Sequence, residues 1–219
     1  MSAVLTPSVK MTPVASPNRT PSPAVRPTTH VPEYHRFSVT DYERMVETGI
    51  LDADAPVELL EGLVVTKMPR NPAHDGTLDL VEGIFLACLP PGWFIRTQRS
   101  VRLPDDSTPE PDLAVVRGDR KTYLTRHPGP ADVGLIVEIA NTSLKNDVET
   151  KSRVYATAGI PAYWIVNLTD RVVMTFSKPK KVGTNIVYSV QKSVLIGGVI
   201  EFILEENAIA KINVSDLII

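Results

Sequence analysis

Asp112 and Glu138 are the residues of this chain whose type and setting point most directly to chemistry. Asp112 opens an apolar run, Leu113-Ala114-Val115-Val116, and Glu138 closes another, Gly134-Leu135-Ile136-Val137. Runs of this length and composition read as buried strands. A carboxylate at the edge of a buried strand is costly unless it is paired, hydrogen-bonded or bound to a metal. If the two strands are antiparallel neighbours, the start of one lies beside the end of the other, and the two acids meet. Together they offer hard oxygen ligands, which suit Mg2+ or Mn2+.

The elements that position these acids follow in the chain. Asn141-Thr142-Ser143 is a turn and helix-capping cluster, and the pattern predicts a helix over residues 147–158, closed by Gly159 and Pro161. Val148, Val154, Tyr155 and Ala158 lie near one face of that helix, and Lys151 can reach back towards its start. Residues 162–168 then read as another buried strand. The order is strand, loop, strand, helix, strand, with the polar residues gathered at the strand ends.

Pro111-Asp112 followed by Glu138-Ile139-Ala140 resembles the PD-(D/E)XK nuclease signature. The longer series PDLAVV, LIVEIANTS, DVETK and AGIPAYWIVN resembles the Uma-type group of restriction endonucleases in that superfamily, over roughly residues 37–219. The resemblance implies a restriction-endonuclease-like α/β core, with a central mixed β-sheet flanked by α-helices and additional C-terminal strands. It implies Mg2+ (or Mn2+) held by Asp112, Glu138 and the main-chain carbonyl of Ile139, and hydrolysis of phosphodiester bonds in DNA. The superfamily's lysine sits two residues after the acid, where this chain has Ala140. The resemblance gives its role to Lys151, which would orient or deprotonate the attacking water or stabilise charge on the phosphate.

The resemblance also implies an acid from the N-terminal part, at Glu58 or Glu61. Strand periodicity puts these two on opposite faces. Glu58 is expected to point inward and Glu61, beside Gly62, to lie at an exposed turn; the alternative is that both are solvated. His74 matches a histidine that recurs in the group, expected to contact a phosphate or an outer metal ligand, with a local hydrogen bond at a helix start as the alternative. The superfamily's habit of pairing active sites further implies a homodimer.

Composition bounds these expectations. The 219 residues suffice for one domain and a tail, divided at residues 1–36 and 37–219. The tail is rich in Pro, Ser and Thr and lacks hydrophobic periodicity, so disorder or extended structure is expected there. There is no apolar run of transmembrane length and no secretory h-region, and the lone Cys88 reads as a packed core thiol; a cytoplasmic protein is the simplest inference. The other histidines show no ligand spacing, which argues against zinc. No Gly-rich phosphate loop or nucleophile elbow is present.

The only charges of residues 1–32 are basic (Lys10, Arg19 and Arg26), and residues 33–219 carry 20 Lys and Arg against all 25 Asp and Glu, a net of −5. Avid duplex-DNA binders present a basic surface. The clusters Arg96, Arg99, Arg102 and Lys178, Lys180, Lys181 read equally as solvated faces. This acidic balance, with the alanine at position 140, favours the competing reading of a nuclease-fold module that binds or regulates without cutting.

The remaining pattern predicts a helix over residues 37–48 capped by Ser38 with Asp41, and two strands around Gly62 within residues 57–68. It further predicts a helix over 74–89, and a long strand over 93–103 that turns back through residues 104–107 into the strand of Asp112. Gln98 falls in the middle of that long strand, either exposed or lining the cleft. Residues 117–130 read as a surface loop. Short strands are expected at 171–177, 186–190 and 199–204, with a terminal strand or amphipathic turn over 214–219, extending the sheet.

Overall fold

The computed structural model describes residues 33–218, and its main folded unit begins at His35. The expectation for the proline-rich tail concerns residues 1–32, outside the described residues. Helix α1 (Val39–Glu47) starts with a reciprocal capping box, in which the Ser38 hydroxyl accepts from the Asp41 N–H and the Asp41 carboxylate accepts from the Ser38 N–H. Strands β1 (Val57–Leu60) and β2 (Leu63–Thr66) form a hairpin closed by Glu61-Gly62. Both turn residues have left-handed backbones (φ 49° and 77°), as a two-residue turn of this twist requires. At Gly62 a side chain is also excluded by space, since a Cβ would lie 2.6 Å from the Cβ of Arg36.

Helix α2 (Pro72–Cys88) begins at Asn71, whose side chain accepts from the His74 N–H, and carries proline in its first turn, where no N–H is needed. The central sheet follows: β3 (Trp93–Thr97), β4 (Leu113–Arg117), β5 (Val133–Ala140), β6 (Ala162–Asn167), β7 (Val172–Val182) and β8 (Asn185–Leu195), side by side in chain order. All neighbours are antiparallel except β5 and β6, which run parallel and are joined by a helical crossover. This is the mixed α/β architecture expected from the sequence.

The crossover helix starts at Leu144, three residues before its predicted start. It consists of α3 (Leu144–Asn146), a π-helical turn (Asp147–Lys151) and α4 (Ser152–Thr157). The widened turn is marked by the Ser152 N–H donating to the Asp147 carbonyl, five residues back. Every residue of β5 is buried because the sheet is covered on both faces. On one face Leu113, Val115, Leu135, Val137 and Trp164 pack with Phe85 of α2 and Phe202 of the C-terminal strands. On the other, Ile136, Tyr155, Tyr163, Ile165, Phe176 and Tyr188 join the crossover helix to the sheet.

The structure corrects several predicted bounds. The strand expected over residues 93–103 stops at Thr97, and Gln98 turns into the left-handed region at φ 50°. Its partner segment contains Pro109 and Pro111, which have no N–H to continue the ladder. Strands β7 and β8 are longer than predicted, at 11 residues each. Pro179 is tolerated because β6 ends opposite Ser177, so beyond that point one side of β7 has no strand to bond. The last strands, β9 (Val199–Leu204) and the unanticipated β10 (Asn207–Asn213), do not extend the central sheet. They form a separate hairpin that covers one of its faces, followed by a short helix, α5 (Val214–Leu217). Among the described residues no helix is long and apolar enough to cross a membrane.

Candidate active site

The antiparallel register of β4 and β5 sets Leu113 opposite Val137, which brings Asp112, just outside β4, beside Glu138. The two acids interlock through the main chain. The Asp112 Oδ2 accepts from the Ile139 N–H at 2.8 Å, and the Glu138 Oε2 faces the Asp112 N–H at 3.4 Å. A strand residue points its N–H and C=O to the same side, so the Ile139 carbonyl faces the same edge as its N–H.

Lys151 reaches this point from the π turn. Its Nζ lies 2.9 Å from Glu138 Oε1, 3.5 Å from Glu58 Oε1 and 3.9 Å from Asp147 Oδ1. The lysine is buried, as are Glu58, Glu138 and Asp147. Glu58 projects inward from β1, and its Oε2 also accepts from the Glu110 N–H at 3.0 Å. Glu61 lies in the β1–β2 turn and is bound to Arg153. His74, in the first turn of α2, places Nε2 3.1 Å from Asp112 Oδ2 and Nδ1 3.2 Å from Asp75. The structure therefore brings Asp112, Glu138, Ile139, Lys151, Glu58 and His74 into one cluster.

Two members were not anticipated from the sequence. Tyr155, fully buried, donates its hydroxyl to Glu138 Oε1 at 2.8 Å, on the same oxygen as Lys151. Asp147 sits at the start of the π turn, held by the Ser143 hydroxyl at 2.6 Å. Asp147, Lys151 and Tyr155 are spaced four apart, a stripe along one helix face. That stripe was the available signal.

The electrostatics are unbalanced. Four carboxylates, from Glu58, Asp112, Glu138 and Asp147, share one ammonium and one imidazole. Burial pushes the Glu138 carboxyl up to about 8, with Lys151 opposing and Asp112, Asp147 and Glu58 adding to the rise. Burial likewise raises Asp147, against the pull of Lys151 and Ser143. For Asp112 burial also acts upward, but the hydrogen bond and charge of His74, the Ile139 N–H and Lys151 outweigh it and hold the group below the usual carboxylate range. The His74 imidazole is raised, first by its bond to Asp112 and against its burial. Lys151 is raised because its three acids outweigh its burial.

This arrangement fits a divalent cation. The excess negative charge is of the sign such an ion neutralises, and all the donors are hard oxygens. Each acid has one oxygen engaged by strong donors and one left over: Asp112 keeps Oδ1, and Glu138 keeps Oε2 apart from its long contact with the Asp112 N–H. Among the described residues no three His, Cys, Asp or Glu side chains form a metal-holding group. The donor set is instead two carboxylates and a main-chain carbonyl, which leaves positions for water and phosphate oxygens, as Mg2+ sites commonly do.

Comparison with known proteins is consistent with this geometry. A family profile, Uma2, described as "putative restriction endonuclease", matches residues 39–200. A crystal structure described as a putative nuclease belonging to DUF820 from Anabaena variabilis superposes with a TM-score of 0.62 at 12% identity, covering 83% of this chain and 97% of that one. At that identity the likeness establishes the fold. No curated protein matches the chain.

Proposed function

The chain belongs to the Uma2 family, and from that membership and the geometry of the cluster we propose that it is a Mg2+-dependent (or Mn2+-dependent) endonuclease hydrolysing phosphodiester bonds in DNA. The observation that carries the reading is the meeting of Asp112 and Glu138 across β4 and β5, with the Lys151 ammonium 2.9 Å from Glu138 although it comes from another element.

Asp112, Glu138 and the Ile139 carbonyl would hold the divalent ion. When bound, it supplies Lewis-acid polarisation of the phosphoryl oxygen and a lowered pKa for water. His74 fixes Asp112 through Oδ2, leaving Oδ1 as the oxygen that would be available to the ion. Lys151 and Tyr155 fix Glu138 in the same way through Oε1. Lys151 then directs an N–H towards the attacking water or a phosphate oxygen, and Glu58 holds the ammonium from the side of β1. Water adds to phosphorus and gives up a proton to solvent, the P–O bond to the leaving sugar breaks, and the leaving oxygen takes up a proton from solvent.

Two observations favour a second reading, a nuclease-fold module that binds without cutting: Ala140 stands where the superfamily has lysine, and residues 33–219 are acidic. Cleavage of supercoiled DNA with Mg2+ or Mn2+ separates the two. The expected result is metal-dependent nicking, lost in Asp112→Ala and in Lys151→Ala. Wild-type protein that binds Mn2+ through Asp112 and leaves DNA intact would overturn the nuclease in favour of the module.

A further inference from the structure

The basic residues near the site divide sharply by their partners. Arg102 is bound to Glu43, Lys67 to Glu110 and Arg153 to Glu61, and Arg96 is half-buried with its guanidinium 5.6 Å from the centre of the Tyr123 ring. Arg70 and Arg99 are exposed, and among the described residues neither is paired with a carboxylate. Both instead donate to one residue, Gln98: Arg70 Nη1 to its side-chain oxygen, and Arg99 Nη1 to its main-chain carbonyl at 3.1 Å.

Gln98 is itself locked to the site. Its N–H is shared between the carbonyls of Asp112 at 3.1 Å and Pro111 at 3.2 Å, and its backbone is left-handed, a strained conformation for a residue with a side chain. Arg70 comes from the other direction, one residue before the cap of α2, whose His74 touches Asp112. Two free guanidiniums are thus tethered through one strained glutamine to the main chain of the candidate metal-binding aspartate.

We propose that Arg70 and Arg99, fixed on Gln98, clamp the DNA phosphates that flank the scissile one. The inference rests on the nuclease reading above and names the groups that hold its substrate. The buried cluster is crowded with carboxylates and repels a polyanion, and a net charge of −5 over residues 33–219 offers no long-range attraction. Substrate must therefore be held locally, by donors at the rim. Guanidinium suits this task because its planar fork matches two phosphate oxygens.

Two such contacts give a small salt dependence. Neutralising about two phosphates on a duplex corresponds to a slope of roughly −2 in log affinity against log salt, or about a tenfold loss between 50 and 200 mM. The test is fluorescence anisotropy of a labelled 20-base-pair DNA over that range, with Ca2+ in place of Mg2+ to suppress cutting, alongside cleavage of the same DNA in Mg2+. The expected result is a wild-type slope near −2, reduced by about one in Arg70→Ala and in Arg99→Ala and nearly abolished in the double variant. Arg70→Lys should retain the slope. Wild-type slope and affinity in both alanine variants, with wild-type cleavage intact, would overturn the clamp and leave the nuclease standing. Wild-type protein that neither binds nor cuts DNA would overturn the nuclease reading and the clamp with it.

Discussion

Two ionic links join the β1–β2 hairpin to the crossover helix, and they start only two residues apart on that helix. Arg153 meets Glu61 through Nε at 2.7 Å and Nη2 at 2.8 Å, a bidentate fork at the surface. Lys151 meets Glu58 at 3.5 Å in the interior, while also serving Glu138 and Asp147. The exposed pair has the better geometry and is balanced one to one. The buried one is looser and short of positive charge. Ideal geometry at the surface is worth little, because water screens both partners. Buried charge in excess is retained only where something else compensates it. The well-formed pair is a surface tie of small worth, and the imperfect cluster is where, under the proposed function, a cation would compensate the excess charge.

Substitutions test that contrast, beginning with the largest effect. Lys151→Met should cost about 3–5 kcal/mol in urea unfolding, because it leaves buried carboxylates without their ammonium; a cost as small as that of a surface pair would erase the distinction. Glu138→Gln should abolish Mn2+ binding measured by calorimetry while leaving the melting temperature at neutral pH unchanged or higher, since burial already holds that carboxyl largely neutral below about 8 and the amide keeps an acceptor oxygen for Lys151 and Tyr155. Tyr155→Phe removes one of the two strong donors on Glu138 Oε1. It should cost about 1 kcal/mol of stability and lower metal affinity by roughly 10- to 100-fold, as outer partners of metal ligands do. Arg153→Ala should cost less than about 1 kcal/mol, diminish further in high salt, and leave DNA cleavage unchanged.

The parts of the site legible in the sequence were those where a charge interrupts an apolar run. Asp112 and Glu138 stand out because buried strands rarely end in carboxylates without reason. The antiparallel neighbours they required are present in the sheet. Tyr155 was hidden because its ring belongs to the apolar face of the helix, so pattern alone assigns it to packing; only its hydroxyl, aimed at Glu138, does something more. The π turn leaves no mark in hydrophobic periodicity. The early end of β3 was written in its partner rather than in its own residues, through Pro109 and Pro111. The separate β9–β10 hairpin arises from long-range packing of Phe202 against Phe85 and Trp164, which no local pattern reports.

The placement of Lys151 on the crossover helix, rather than on the strand of Glu138, also has a temporal consequence. The cluster draws on positions 58, 74, 112, 138, 147, 151 and 155, and closes only when the helix after β5 docks back onto the sheet. A chain still emerging from the ribosome can complete β4 and β5 and pair Asp112 with Glu138, yet lack the ammonium and the phenol that hold the glutamate in position. The assembled centre therefore appears late in synthesis. Nascent and truncated chains lack the assembled cluster until the crossover is complete.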